Sequence, residues 1–188
     1  MKSRRAQLLE FAVLGLLHEG PTHGYDLRRR LNTALGPFRA LSYGTLYPAL
    51  RDLLDHGLIA ETTDPAGPTG RRPRVVYELT AAGKEHFSAL VARTDASAYE
   101  DDGFDVRFAF FARTERDVRL RILEGRRSRV EEDLERVREA ATRSRERLDA
   151  YTTALQRHGE ETTEREVRWL SELIDAERRH PTDPGPQP

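Results

Sequence analysis

The chain of 188 residues has no cysteine, one methionine and one tryptophan. Without cysteine there can be no disulfide, no thiolate nucleophile and no zinc–thiolate centre. Lysine is nearly absent, at Lys2 and Lys84 only, so arginine carries almost all the positive charge. No apolar run approaches the ~20 residues that a membrane helix needs. The basic, apolar start "MKSRRAQLLEFAVLGLL" is interrupted by Glu10, and "HEGPTHGYD" offers no small-residue cleavage site, so it does not read as a secretory signal. The expectation is a cytoplasmic protein with no membrane partner. Hydrophobic residues are sparse at 37% and charged residues dense at 34%. That balance suits a helical chain with much exposed surface, or one that completes its core in an oligomer.

Formal net charge is only -1. The charge is unevenly spread. Residues 1–95 hold 13 Lys and Arg against 10 Asp and Glu, a balance of +3, whereas residues 96–188 hold 18 against 22, a balance of -4. The direction places any polyanion site in the N-terminal half. The six histidines lie on different elements with no metal spacing, and there is no glycine-rich phosphate loop. No metal or cofactor is expected, and an enzyme is not.

The periodicity predicts a helix over 4–18, apolar nearly all round, stopped by Gly20 and Pro21. Thr22 can cap a second helix, with Asp26 in its first turn, and Gly36-Pro37 closes it. A third helix over 41–59, a strand "GLIAETT", a Gly- and Pro-rich turn and a strand "RVVYEL" follow. Thr80 caps a fourth helix. This order is a winged helix-turn-helix over 1–93. Residues 94–105 break the pattern and read as a solvated linker. Beyond it, 106–179 reads as a helical, coiled-coil-like dimerisation domain, and 180–188 as a disordered tail. In that domain a helix from about 115 to 157 carries a heptad seam, and "RHGEET" makes a natural turn into a last helix over 160–179. The fold class is mainly α with a small β-hairpin wing.

The third helix holds Gly44 and Pro48, the residue types a helix tolerates worst. At 100° per residue, Leu46, Leu50, Leu53 and Leu54 fall on one side, with Ala49 at the edge. Gly44, Pro48, Arg51 and Asp55 fall on the other. Both helix-breakers therefore sit on the outer face, where the carbonyl left unbonded by Pro48 can meet water. If Thr45 is the N-cap, Pro48 stands in the first turn and its missing N–H costs nothing. Either way the outer face is flat, flanked by Tyr43 and Tyr47, with Arg51 one turn on. Such a face suits a DNA major groove. Tyr43 and Tyr47 could also be core-edge residues and Arg51 an ordinary surface arginine. Arg71, Arg72 and Arg74 at the hairpin tip and exit shift the balance towards DNA.

"HGYDL" at 23–27, "SYGTLYPALRDLLDHGLI" at 42–59 and "GRRPRVVYELTAAG" at 70–83 closely resemble the PadR family of bacterial transcriptional regulators. "VRFAFFAR" and "EVRWLSELIDAE" are similar to that family's helical C-terminal domain. The resemblance implies a homodimeric winged-helix regulator, usually a repressor, that often answers to a small-molecule effector. It places Tyr43, Gly44, Thr45, Tyr47 and Pro48 in the DNA-reading helix, and Arg71, Arg72 and Arg74 in the wing. Tyr25, Ser42 and Arg51 complete the candidate DNA-binding residues. A two-fold operator in double-stranded DNA is the expected partner. The expected dimer interface comprises Leu9, Val13, Val130, Leu134, Val137, Leu148, Tyr151, Leu155 and Leu170. Trp169 is the candidate lining of an effector pocket. A winged helix used only for protein interaction is the alternative reading.

Overall fold

The computed structural model describes residues 3–35, 43–64, 74–144 and 149–179, with backbone alone at 35, 43, 44, 63, 64, 74, 143 and 144. The order of elements is α1 (Arg4–Leu17), β1 (Thr22–His23), α2 (Gly24–Leu35), α3 (Tyr43–Asp55), β2 (Ile59–Asp64), β3 (Arg74–Leu79), α4 (Ala81–Val91), α5 (Asp101–Phe108), α6 (Arg116–Ser144) and α7 (Ala150–Arg179). Single 3-10 turns precede and follow α5.

Two compact units form. One comprises residues 1–93 with 105–112, the other 94–104 with 113–188. The first is the winged helix-turn-helix that the pattern predicts, with one addition. Thr22 does not cap α2. It lies in the two-residue strand β1, which pairs antiparallel with β3, so the sheet has three strands in the order β1-β3-β2. The Thr22 hydroxyl donates to the Gly20 carbonyl and accepts from Arg30 Nη1. The other expected cap is present: Thr80 Oγ1 accepts from the Gly83 N–H at 3.0 Å. Gly83 allows α4 to pack tightly, because a Cβ there would stand 1.9 Å from the Leu58 carbonyl oxygen.

The core of this unit is α1, all of whose residues from Phe11 to Leu17 are buried, packed with Leu27, Leu31, Leu46, Leu50, Leu53, Ile59, Tyr77 and Phe87. Leu9 and Val13, expected at a dimer interface, are 5% and 0% exposed within this core, so the protomer itself already covers them. Residues 106–112, expected in the C-terminal domain, join the same core together with Asp105 of the expected linker. Val106 and Phe110 are buried in it, Phe110 stands edge-on to Phe11 at 5.6 Å, and Gly15 makes room for the Phe110 ring. Arg107 is also buried here. Its guanidinium lies 5.1 Å above the Phe11 ring and donates to the Leu90 carbonyl.

The expected linker forms a 3-10 turn and the start of α5, with Asp95, Ala96, Ser97, Asp101, Asp102 and Asp105 exposed as a solvated segment would have them. Asp95 Oδ1 accepts from the Ser97 N–H, Ala98 and Phe104 are buried, and Asp101 ion-pairs with Arg126. Gly103 sits where a Cβ would meet the Ser97 carbonyl at 1.9 Å.

The second unit is a hairpin of α6 on α7. The break falls earlier than "RHGEET": α6 ends at Ser144, α7 starts at Ala150, and 157–162 lie inside α7. The start signal of α7 is Asp149, whose Oδ1 accepts from the N–H of Tyr151 and Thr152 and whose Oδ2 accepts from the Thr152 hydroxyl. That is N-cap geometry. The Arg- and Glu-rich positions pair across the hairpin, as Arg138 with Glu160 and Glu164, Arg126 with Glu166, Arg119 with Glu177 and Arg178 with Glu124.

Candidate nucleic-acid interface

The structure builds α3 as the wheel predicts. Leu46, Leu50 and Leu53 are buried, while Tyr47, Pro48 and Arg51 are exposed. Thr45 is half-buried and is not the N-cap, because the helix begins at Tyr43. Pro48 therefore lies inside the helix, and the bond it cannot make is to the Gly44 carbonyl. The side chains of Tyr43, Gly44 and Arg74, and all of Ser42, Arg71 and Arg72, lie outside what the structure describes.

Beside Tyr47 stands the start of α2, with Tyr25 65% exposed. The two tyrosines and Tyr77 surround an open recess of about 560 Å³. Tyr77 was not singled out from the sequence, although its place in "RVVYEL" puts it on one strand face with Val75 and Leu79. It pairs with Glu61 across β2 and β3. Burial pushes its phenol pKa up, and the Glu61 carboxylate, by charge and by accepting the phenolic hydrogen bond, pushes it further. Gly24 lets the rings come in close over α2. A Cβ there would stand 3.3 Å from the Tyr77 ring and 3.5 Å from the Tyr47 hydroxyl.

The α6–α7 hairpin divides the expected dimer residues. Val130, Leu134 and Leu170 are buried within it, and Val137 is half-buried. Tyr151 and Leu155 at the start of α7 are 89% and 70% exposed. Leu148 lies outside the described residues. Trp169 is 40% exposed and meets the buried Phe104 edge-on at 6.2 Å. Arg126 lies over the same Phe104 ring at 5.4 Å. Among the described residues there is no group of His, Asp and Glu that could hold a metal ion, and no helix long and apolar enough to cross a membrane.

Residues 13–89 match the model of the transcriptional regulator PadR-like family. This segment is a PadR-like domain. It takes in the whole of the sheet, α2, α3, the C-terminal end of α1 from Val13 and most of α4. Over 87 residues the chain is 34% identical to the negative transcriptional regulator PadR of Bacillus subtilis (strain 168), an alignment covering 46% of this chain. The chain spans about half the length of that protein, 47%. Among solved structures it is similar to Bacillus subtilis PadR in complex with operator DNA, at 21% identity and a TM-score of 0.44 over 90% of this chain and 98% of that one. It is also similar to a PadR-like transcription factor of Bacteroides fragilis, at 30% identity and a TM-score of 0.41 over 46% of this chain and 79% of that one.

Proposed function

We propose that this chain is a dimeric, sequence-specific DNA-binding transcriptional regulator that acts as a repressor. The observation that carries the reading is the outer face of α3 in a PadR-like domain. A helix whose opposite side is filled by Leu46, Leu50 and Leu53 holds Tyr47, Pro48 and Arg51 out to solvent. The face lacks bulk at Pro48 and Gly44, so a major groove can approach the backbone. In this reading Ser42, Tyr43, Gly44, Thr45, Tyr47, Pro48 and Arg51 face the bases. Tyr25 and the wing residues Arg71, Arg72 and Arg74 meet the phosphate backbone. The name of the Bacillus subtilis relative, a negative regulator, supports repression over activation.

Acting on chromosomal DNA, the protein would work in the cytoplasm. Release by a small-molecule effector belongs to the same proposal, with Trp169 as its reporter. Titration of candidate aromatic compounds should quench or shift the emission of Trp169 in step with loss of DNA. A compound that releases DNA and leaves that emission unchanged would remove Trp169 from the effector site.

The experiment that tests the whole reading is selection of sheared genomic DNA on the purified protein, followed by sequencing. The expected outcome is enrichment of a few fragments sharing a two-fold symmetric motif, with half-sites about one helical turn, ~34 Å, apart. Recovery of all genomic sequence in proportion to its abundance would refute sequence-specific reading.

A further inference from the structure

We propose that Tyr77 and Gly24 are positioning residues for the reading face of α3: they fix where the Tyr47 phenol points, and so set the base preference of that face. The part about base preference rests on the function proposed above; the holding of Tyr47 does not.

Tyr47 needs such support. It is 41% exposed. A tyrosine on a helix keeps two open choices of χ1 as well as its ring torsion. A side chain that has to be ordered on binding loses affinity. One that points several ways favours no single base edge.

Tyr77 is placed to supply the order. It is 6% exposed, so it is too buried to enter a groove itself. It stands on β3, the central strand, opposite Thr22 of β1 on one side and Glu61 of β2 on the other. Its hydroxyl donates to the Glu61 carboxylate. Burial first, then Glu61, then Tyr47 by charge push its pKa up. The phenol therefore stays protonated and keeps that hydrogen bond at neutral pH. The ring is a fixed wall, tied at its tip and held between two strands.

Gly24 brings the two rings together. A Cβ on it would stand 3.3 Å from Tyr77 Cε2, 3.5 Å from the Tyr47 hydroxyl and 3.7 Å from Tyr47 Cε1. Both rings thus reach over the same point of the α2 backbone, one from the sheet and one from α3. Carbon atoms pack best at ~3.5–4.0 Å, so an added methyl would press on the pair. Tyr77 is locked in the sheet, and Tyr47 is the ring that can turn. Gly24 does not have a positive φ, so its backbone would accept alanine. Room for the rings is what a side chain would take away.

The test compares wild type with Gly24→Ala, Tyr77→Phe and Tyr47→Ala, alone and combined, with thermal melting to show that each is folded. Tyr77→Phe keeps the buried ring, so it serves even if Gly24→Ala fails to fold. In the free protein, three-bond couplings measured by NMR should show one χ1 rotamer for Tyr47 in wild type and a changed or averaged one in Gly24→Ala. Binding is measured on a fragment recovered by genomic selection and on an unrelated fragment of equal length. Gly24→Ala and Tyr77→Phe should each weaken the selected fragment about fivefold, the order of one neutral hydrogen bond, and leave the unrelated fragment unchanged. In the Tyr47→Ala background neither should have a further effect, because the group they position is gone. Equal losses in both backgrounds, or on both fragments, would show a general effect on the fold and overturn the proposal. So would wild-type affinity in both variants, or a Tyr47 already averaged over rotamers in wild type. If wild type prefers no fragment, the proposed function fails and the base-preference part with it. A single Tyr47 rotamer that Gly24→Ala disturbs would still establish the holding.

Discussion

At the scale of single residues, three glycines are fixed by their neighbours rather than by their backbone angles. A Cβ on Gly83 would collide with the Leu58 carbonyl, one on Gly103 with the Ser97 carbonyl, and one on Gly15 with the Phe110 ring. The first two obstacles are backbone and cannot swing aside. Gly83→Ala should therefore destabilise the winged-helix unit by about 1–3 kcal/mol, the usual cost of overpacking, measured by urea denaturation. A stability equal to wild type would mean that α4 can shift away from the Leu58 carbonyl at no cost. The wing arginines make a different kind of claim. If Arg71 and Arg72 meet phosphates, each change to Ala should reduce the slope of log affinity against log salt by about 1. Both copies change in a dimer, so the effect can double. A changed base preference at constant slope would make them base readers.

Among the elements, what was legible and what was not has a physical pattern. The buried and exposed faces of α3, the strands β2 and β3 and the cap at Thr80 follow from local spacing and capping chemistry, and all are present. The strand β1 was missed because two residues, Thr22 and His23, carry no period, and β3 alone makes them a strand. Residues 106–112 belong with the first unit and not the second, which was not legible because sequence shows that Val106 and Phe110 are apolar but not which core they enter. The long-helix reading passed over Asp149 because the 4–3 spacing of apolar residues continues across it. Its cap makes a pH prediction. Hydrogen bonds from the Thr152 hydroxyl, and then from the backbone N–H of Thr152 and Tyr151, hold its carboxyl below the usual carboxylate range. A pKa depressed in the folded state stabilises fully above the ordinary value, near pH 4, and the benefit is lost as pH falls through the folded value. The melting temperature of Asp149→Asn should therefore converge on that of wild type below pH 4. A gap that stays constant there would show that the charge contributes nothing to capping α7.

For the whole molecule, the proposed function requires two reading helices to act on one operator. The seam residues Val130 and Leu134 are spent inside the α6–α7 hairpin, so Leu134→Asp would be expected to disrupt the hairpin first. Among the described residues of the expected interface, Tyr151 and Leu155 are the ones left exposed for a second copy. Changing both to Asp should yield a monomer by equilibrium sedimentation with unaltered helicity, and DNA affinity should fall because one half-site is then held at a time. A dimer that survives the double change would move the interface elsewhere. The reading face itself is tested most directly at Gly44. Gly44→Leu adds bulk where the account requires a flat strip, while leucine favours helix over glycine by roughly 0.5–1 kcal/mol. The measurement is equilibrium binding of this variant to a fragment recovered by genomic selection, with thermal melting in parallel. The account predicts that binding is lost while the melting temperature is unchanged or raised; wild-type affinity in a folded Gly44→Leu protein would contradict it.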